Sequence, residues 1–177
     1  MASSQLRPAV TLFVLMTLVT GILYPLAITG IAQVAFAKSA DGSLIEKGGT
    51  PVASRLIGQS FSDPKYFWSR PSATGPGPYN AAASSGSNQG ALNPALVDAV
   101  KGRIEALRKA DPSQTGPVPV DLVTASASGL DPHLSVAGIE YQVGRVARAR
   151  NLPVERVKEL VAAHSRAGSW AFLANRA

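Results

Sequence analysis

An uninterrupted apolar stretch, residues 8–37, constrains this chain more than any other feature. Its thirty residues include no Asp, Glu, Lys, Arg or His, and Arg7 and Lys38 bracket it. A helix rises about 1.5 Å per residue, so this stretch is longer than the hydrocarbon core of a bilayer, roughly 30 Å thick. Because backbone groups find no water inside lipid, such a segment must be helical. The sequence therefore predicts a short segment at residues 1–7 and a transmembrane helix over residues 8–37.

Two other interpretations compete with a retained anchor. Residues 35–37, Ala-Phe-Ala, have the small-x-small form of a signal-peptide cleavage site. The apolar part of a signal peptide is usually about 7–15 residues long, however, and this stretch is about twice that. A buried helix of a soluble core seldom needs so long a charge-free run. We therefore expect a single retained anchor.

The interior of the predicted span contains Thr17, Gly21 and Pro25. The proline ring presses on the carbonyl four residues earlier, and a glycine there relieves some of the crowding, so we expect a tolerated kink. Small and hydroxylated residues let helices approach closely in lipid. They favour a helix packed on other membrane subunits, but they are also common in ordinary anchors, and both interpretations stay open.

Composition limits the possible roles of the chain beyond the span. Residues 38–177 contain sixteen Lys and Arg against eleven Asp and Glu, which gives a net charge of +5. A moderately basic domain beside a membrane favours anionic headgroups or an acidic partner. Nucleic acid is disfavoured because stacking aromatics are not interleaved with the basic residues. The chain has no cysteine, which excludes disulfides and thiolate metal sites. The Lys and Arg bias between the two flanks is too weak to give the orientation.

The pattern after the span predicts one mixed α+β domain over residues 38–177. Residues 43–57 predict two short strands around Gly48-Gly49, and residues 71–91 predict a long irregular loop that either binds a partner or acts as a flexible lid. Helices are predicted from the N-cap Asn93 to Asp111, from the N-cap Ser135 through Val136, Ile139, Val143 and Val146, and after Asn151-Leu152-Pro153. Residues 118–123 suggest an edge strand. Arg145, Arg148 and Arg150 are expected to form a solvated helix end.

Catalytic and metal chemistry find little support. Ser126 or Ser128 with His133 and Asp131 has the residue types of a hydrolytic triad, but no G-x-S-x-G elbow accompanies them. A simple turn, in which the Asp131 carboxylate accepts backbone N–H groups, is the favoured interpretation. No pair of metal ligands lies at helical spacing, so no metal site is predicted. The aromatic residues between 61 and 79 are expected in a core or a membrane-proximal belt.

Several segments together resemble one family, the C subunit of the bacterial Kdp potassium-transporting P-type ATPase. They are YFWSRPSA at residues 66–73, SNQ at 87–89, DLVTASASGLDPH at 121–133, and Gln142 with RVARAR at 145–150. The resemblance runs from the span to about Val161. It implies a non-catalytic subunit of an ATP-driven potassium importer, described as a catalytic chaperone that raises the ATP affinity of the ATP-hydrolysing B subunit.

The resemblance also implies assembly with the channel-like A subunit and the small F subunit. It places the chain in the bacterial cytoplasmic membrane, with the soluble domain outside. No cofactor is expected on the chain alone, and ATP only in the complex. A first hypothesis is docking through the span and two polar loops, with residues 124–133 as a second candidate surface. The expected partner contacts are Tyr66, Phe67, Trp68, Arg70, Ser87, Asn88 and Gln89. A second is nucleotide contact by Ser126, Ser128, Gly129 and His133. A third is a membrane-anchored surface protein acting alone.

Overall fold

A computed structural model of the protein describes residues 3–165, and these form parts of two compact units, Met1–Leu56 and Ile57–Ala177. The predicted segment 1–7 and the end of the predicted soluble domain, beyond residue 165, therefore lie partly or wholly outside the described residues. The first unit begins with α1 (Ser3–Leu18), a π-helical turn (Val19–Leu23) and α2 (Tyr24–Ala40). From Gln5 to Ala40 these form 36 continuous helical residues that are long and apolar enough to cross a membrane.

The helix departs from regular α geometry directly before Pro25. The π-helical turn contains Gly21, and Pro25 follows it as the second residue of α2. Because the helix is continuous here, the missing N–H of Pro25 removes one helical hydrogen bond, and the wider π-helical turn lies at that break. The Thr17 hydroxyl donates to the Phe13 carbonyl oxygen at 2.8 Å, so this polar group is satisfied within its own helix. A second departure lies at Phe36, whose φ of −140° and ψ of 36° are not helical.

The predicted hairpin is confirmed. Strands β1 (Leu44–Lys47) and β2 (Thr50–Ser54) pair antiparallel, with Ile45 opposite Ala53 and Lys47 opposite Thr50. The register shifts between Ile45 and Glu46, so one residue of β2 is left unpaired as a bulge. Gly48 and Gly49 both have positive φ, 62° and 79°, as a tight two-residue turn requires. This small sheet with the helices confirms the α+β class.

Three helices of the second unit confirm the predicted boundaries. They are α3 (Pro94–Ala110), α4 (Val136–Arg150) and α5 (Val154–His164). The Asn93 side chain accepts from the N–H of Ala95 at 2.9 Å, and the Ser135 hydroxyl accepts from the N–H of Gly138 at the same distance. Both are N-cap bonds, which a local sequence pattern can reveal.

Helix α4 supplies residues to both hydrophobic clusters. One face joins Tyr141 to Leu107, Leu122 and Val123, and the other joins Val143, Val146 and Ala147 to Val157 of α5. Of the predicted apolar positions, Val143 and Val146 are buried, whereas Val136 in the first turn is 58% exposed. Val136 is therefore part of the helical pattern but not of the core.

Three predictions were wrong in detail. Residues 118–123 form no strand; Val120–Leu122 is a 3₁₀ turn, in which the Asp121 carboxylate accepts the Ser135 N–H at 2.8 Å. The loop 71–91 does contain a short helical turn, Ala81–Ala83, because the Asn80 side chain accepts the Ala82 N–H. Arg145 is not solvated: only 4% of it is exposed.

Candidate docking site

The segment that carries the predicted aromatic contacts is fixed to α4 by a buried amide. The Trp68 N–H donates to Gln142 Oε1 at 2.7 Å, and Gln142 Nε2 donates to the Trp68 carbonyl oxygen at 3.1 Å and to that of Gly138 at 3.0 Å. Gln142 is 1% exposed. A buried amide is favourable only when its groups are paired, and all the polar atoms of this side chain have partners.

Arg145, on the next turn of α4, also binds the segment that contains Trp68. Its guanidinium donates to the Pro64 carbonyl oxygen and to Gln142 Oε1, both at 2.6 Å, and its Cζ lies 4.4 Å from the centre of the Trp68 ring. Burial lowers the pKa of this guanidinium, while the charge of Asp111 opposes the shift. An arginine stays charged under such conditions, so the cation is held by carbonyls and an aromatic face.

The three predicted aromatic contact residues therefore differ in exposure. Phe67 packs against the second cluster and Trp68 against the first, and both are half-buried. Tyr66 is 45% exposed, with the Phe61 ring 5.2 Å away and the Arg150 guanidinium over its own ring. Of the three, Tyr66 presents the most surface to a partner.

Arg70 and Asp131 form a partly buried ion pair, and His133 contacts the same carboxylate. Arg70 Nη1 donates to Asp131 Oδ2 at 3.0 Å, and Asp131 Oδ1 accepts the His133 N–H at 3.0 Å and lies 2.9 Å from His133 Nδ1. The predicted Asx turn at Asp131 is thus confirmed. Burial alone would raise the pKa of the Asp131 carboxyl, but the bonds from His133 and Arg70 outweigh it and hold that pKa below 3.8.

The loop 71–91 is hydrogen-bonded to the serine-rich segment 124–133. The Ser85 N–H donates to the Ser128 carbonyl oxygen at 3.0 Å, and the Ser72 hydroxyl donates to the Gly129 carbonyl oxygen at 2.7 Å. The Tyr79 N–H donates to that same Ser72 hydroxyl, and the Tyr79 hydroxyl donates to the Arg70 carbonyl oxygen at 2.6 Å. We call these two segments the paired loops. Their mutual bonds favour the ordered binding element over the flexible lid.

Gly129 shows how closely the paired loops approach. Its φ is +68°, a conformation that residues with a Cβ rarely adopt. A Cβ there would lie 2.6 Å from the Thr74 methyl carbon and 2.7 Å from the Ser85 carbonyl oxygen. The position therefore requires glycine for both its backbone and its neighbours.

The predicted contact residues 87–89 lie at the far end of the first loop. Ser87 and Asn88 are exposed and Gln89 is half-buried. Asn88 has a φ of +50°, which asparagine tolerates better than most residues. We call Ser87 and Asn88 the loop tip. It presents uncharged hydrogen-bonding groups two residues beyond Ser85, whose N–H joins the paired loops.

The residues predicted to contact nucleotide have mostly internal roles. Ser126 is 8% exposed, and the Ser128 hydroxyl accepts the Leu130 N–H at 3.1 Å. Gly129 lies where the paired loops approach each other closely, whereas the His133 side chain is 85% exposed. Between residues 3 and 165, no hydrogen bond joins His133 to either serine, so the residues of the considered triad are not assembled. The same residues contain no group of three His, Cys, Asp or Glu side chains that could hold a metal ion.

Sequence reasoning missed the three polar residues that hold the site together. Gln142 and Ser72 were noticed only as parts of segments that resemble a family or, for Ser72, of a loop, and Tyr79 only as one of an aromatic group. A glutamine on the buried face of α4 is a detectable signal, because a buried amide implies a partner. Its partner, Trp68, lies 74 residues away, and no local pattern identifies it.

Comparison with known proteins gives one family. The family described as "KdpC: K+-transporting ATPase, c chain" matches residues 6–177. The "Potassium-transporting ATPase KdpC subunit" of Ralstonia nicotianae is 66% identical over 162 residues, which cover 92% of this chain and 79% of the relative. The protein with the same name from Dechloromonas aromatica is 66% identical over 165 residues, 93% of this chain and 86% of the relative.

The similarity to a more distant relative also extends over nearly the whole chain. The KdpC subunit of Methylococcus capsulatus is 55% identical over 170 residues, which cover 96% of this chain and 90% of the relative. The match thus includes the long apolar helix, the aromatic segment and the paired loops. The chain belongs to the KdpC family, the c chain of K⁺-transporting ATPases, and is an accessory subunit rather than the catalytic one.

Proposed function

We propose that this chain is a docking subunit of a potassium-importing ATPase, held to the other subunits by its span and by the loop tip. The observation that carries the proposal is the set of hydrogen bonds between the paired loops, which at Ser85 lies two residues before the exposed, uncharged loop tip. A surface ordered before binding loses little conformational entropy when it docks. Such a subunit favours the pump conformation that it binds more tightly.

The partners in this proposal are the ATP-hydrolysing B subunit, the channel-like A subunit and the small F subunit. The family resemblance supports them, together with a place in the bacterial cytoplasmic membrane and a soluble domain outside. Tyr66, Ser87 and Asn88 are the exposed members of the proposed contact residues, while Gln89 and Arg70 are half-buried. Phe67 and Trp68 support the surface from the core side.

Exchange of Asn88 for glycine tests the loop tip. Asn88→Gly removes the side chain but keeps a residue that tolerates the positive φ, so the loop conformation should survive. We expect the tagged chain to retain several-fold less of the other ATPase subunits after purification in mild detergent. Asn151→Gly is the matched control, because Asn151 is also exposed and also has a positive φ, 54°, at the end of α4. If both variants retain the other subunits equally, the loop tip is not part of the interface. Loss of every partner from the unaltered chain would favour a protein that acts alone.

An alternative role, the nucleotide-contacting chaperone, is supported by the exposed Ser128 and His133 on the second of the paired loops. It predicts that Ser128→Trp weakens the apparent ATP affinity of the assembled complex while assembly survives. The docking proposal predicts that the same variant leaves the ATP affinity unchanged unless assembly is also weakened. The two measurements on one variant therefore separate the roles.

The side of the membrane on which the second unit lies distinguishes the docking role from the nucleotide-contacting role, independently of the Ser128 variant. The chain has no cysteine, so Asp98→Cys on the exposed side of α3 gives a single thiol. We expect a membrane-impermeant maleimide to label it in intact cells as in lysed cells. Labelling only after lysis would place this unit in the cytoplasm and favour contact with ATP.

A further inference from the structure

The hairpin β1–β2 has little to support it within its own unit. In the part of Met1–Leu56 that the structure describes, no residue is buried. An isolated two-stranded hairpin is marginally stable at best in water, because it has no second layer to cover its apolar side chains. Leu44, Ile45, Val52 and Leu56 are nevertheless exposed, from 42% for Ile45 to 61% for Leu56. These side chains are therefore free to contact another surface.

The connection to the span limits what that surface can be. Only residues 41–43 separate α2 from β1, and three residues reach at most about 10 Å. They are also tied back to the helix: the Asp41 N–H donates to the Ala37 carbonyl oxygen at 2.8 Å, and the Ser43 N–H to that of Lys38 at 2.9 Å. The apolar stretch is longer than the hydrocarbon core and fits the bilayer by tilting, and this placement puts Lys38, the first charged residue after it, at the headgroup layer. That layer extends about 5–7 Å beyond the hydrocarbon on each side, so β1 begins at or beside it.

Further bonds fix the hairpin to this connector. The Ser54 hydroxyl donates to the Gly42 carbonyl oxygen at 2.7 Å, and the Arg55 N–H donates to the Ser43 carbonyl oxygen at 3.1 Å. Both ends of the hairpin are therefore attached where the span leaves the membrane. Lys38, Lys47 and Arg55 lie on the same short stretch, against Asp41 and Glu46. Apolar side chains beside a small excess of cations suit a lipid interface with anionic headgroups.

We propose that the hairpin is an interfacial anchor that lies on the bilayer its own span crosses. Val52 and Leu56, the most exposed of these side chains, enter the boundary between headgroups and acyl chains, and Lys47 and Arg55 lie at lipid phosphates. The hairpin then fixes the direction in which the chain leaves the membrane. This inference does not depend on the docking proposal or on the side of the membrane.

Environment-sensitive labels on the full chain test it. Val52→Cys and Leu56→Cys each place one thiol at an already exposed position, so neither should disturb folding. After labelling with a nitrobenzoxadiazole dye and reconstitution into phosphatidylcholine vesicles containing phosphatidylglycerol, we expect blue-shifted emission. We also expect lipids spin-labelled near the headgroup to quench both positions several-fold more strongly than the control Asp98→Cys. Quenching no stronger than the control at both positions would overturn the proposal.

Two further arms identify what covers the hairpin. Removal of phosphatidylglycerol should weaken the quenching at Val52, and the double change Lys47→Gln with Arg55→Gln should abolish that dependence on lipid charge. If quenching in the chain without these two changes does not depend on lipid charge, Lys47 and Arg55 do not contact the headgroups. If Val52 is shielded in the assembled ATPase but no lipid quencher reaches it there, a protein partner covers the hairpin and the proposal is wrong.

Discussion

At the scale of the residue, Gln142 pairs with the chain as a neighbouring strand would. Its amide binds both the N–H and the carbonyl oxygen of Trp68, so one side chain satisfies a backbone segment that has no sheet partner there. Arg145 adds a bond to the same amide and covers the Trp68 ring. The aromatic segment is therefore positioned by polar side chains of α4, and its stability depends on them.

Gln142→Leu should destabilise the fold strongly. The leucine fills a similar volume but leaves the Trp68 N–H and one donor of Arg145 without acceptors, and each unpaired buried group costs about 1–3 kcal/mol. We expect a loss of about 2–5 kcal/mol in urea unfolding of the full chain in detergent, followed by tryptophan fluorescence. The control Gln59→Leu alters an exposed side chain and should change stability by less than about 0.5 kcal/mol. Equal effects of the two changes would contradict the role of Gln142.

Asp111 gives a prediction about pH. Burial alone would raise the pKa of its carboxyl, but the bonds from Ser113 and Arg148 and the charge of Arg148 outweigh it, so that pKa lies below 3.8 in the folded protein. A lowered pKa stabilises the fold above the pKa of the unfolded chain, and this stability is lost as the pH falls through the folded value.

Asp111→Asn should therefore destabilise the chain at pH 7. The destabilisation should become progressively smaller below about pH 4, where the Asp111 carboxyl of the unfolded parent chain becomes protonated. Unfolding free energies measured between pH 7 and pH 3 check this. Asp98→Asn removes the same charge from an exposed position on α3 and is the matched control. If the difference in unfolding free energy between the Asp111 variant and the parent stays constant down to pH 3, the ionised carboxylate contributes nothing to stability.

At the scale of the element, the paired loops depend on the close approach at Gly129. Gly129→Ala brings both a strained backbone and a collision with the Ser85 carbonyl, so we expect the loops to separate and hydrogen exchange within residues 71–91 to accelerate. Gly90→Ala is the control, since no atom lies within 4 Å of the position that its Cβ would occupy. Unchanged exchange in the Gly129 variant would mean that the loops do not need each other.

The span gives a second prediction at this scale. No atom lies within 4 Å of a Cβ built on Gly21, so Gly21→Leu should not clash within the chain itself. If Thr17, Gly21 and Pro25 face other membrane subunits, the leucine will reduce co-purification of those subunits several-fold. Ala27→Leu makes a similar change two residues beyond Pro25, on a different side of the helix, and should be tolerated. Equal retention by both variants would indicate an ordinary lipid-facing anchor.

Sequence alone predicts those elements whose causes are local. The N-caps Asn93 and Ser135 and the turn at Gly48-Gly49 depend on residues no more than a few positions away, and the structure confirms all of them. The turn at residues 120–122 was predicted wrongly because Asp121 bonds to Ser135, across fourteen positions. Arg145 was placed in solvent because its carbonyl partner at Pro64 lies 81 residues earlier. The exposed loop tip was predictable as a polar loop, but the bonds that hold it were not.

At the scale of the whole molecule, two compact units carry separate attachments. The first unit carries the long apolar helix and the hairpin, and the second carries the aromatic segment and the paired loops. Membership of the KdpC family makes the chain one subunit of an ATPase, so its surfaces are best understood as contacts with lipid and with other subunits. The span, the hairpin and the loop tip can each be altered without touching the hydrophobic clusters, whereas Phe67 and Trp68 of the aromatic segment pack against them.

The most direct test of the docking proposal is a photo-activated cross-linker placed at Asn88 in the assembled ATPase. The control position is Glu105, which is exposed on α3. Docking through the loop tip predicts a cross-linked product with another ATPase subunit from position 88 and little or none from position 105. A complex that assembles and transports potassium but gives no product from position 88 would contradict it.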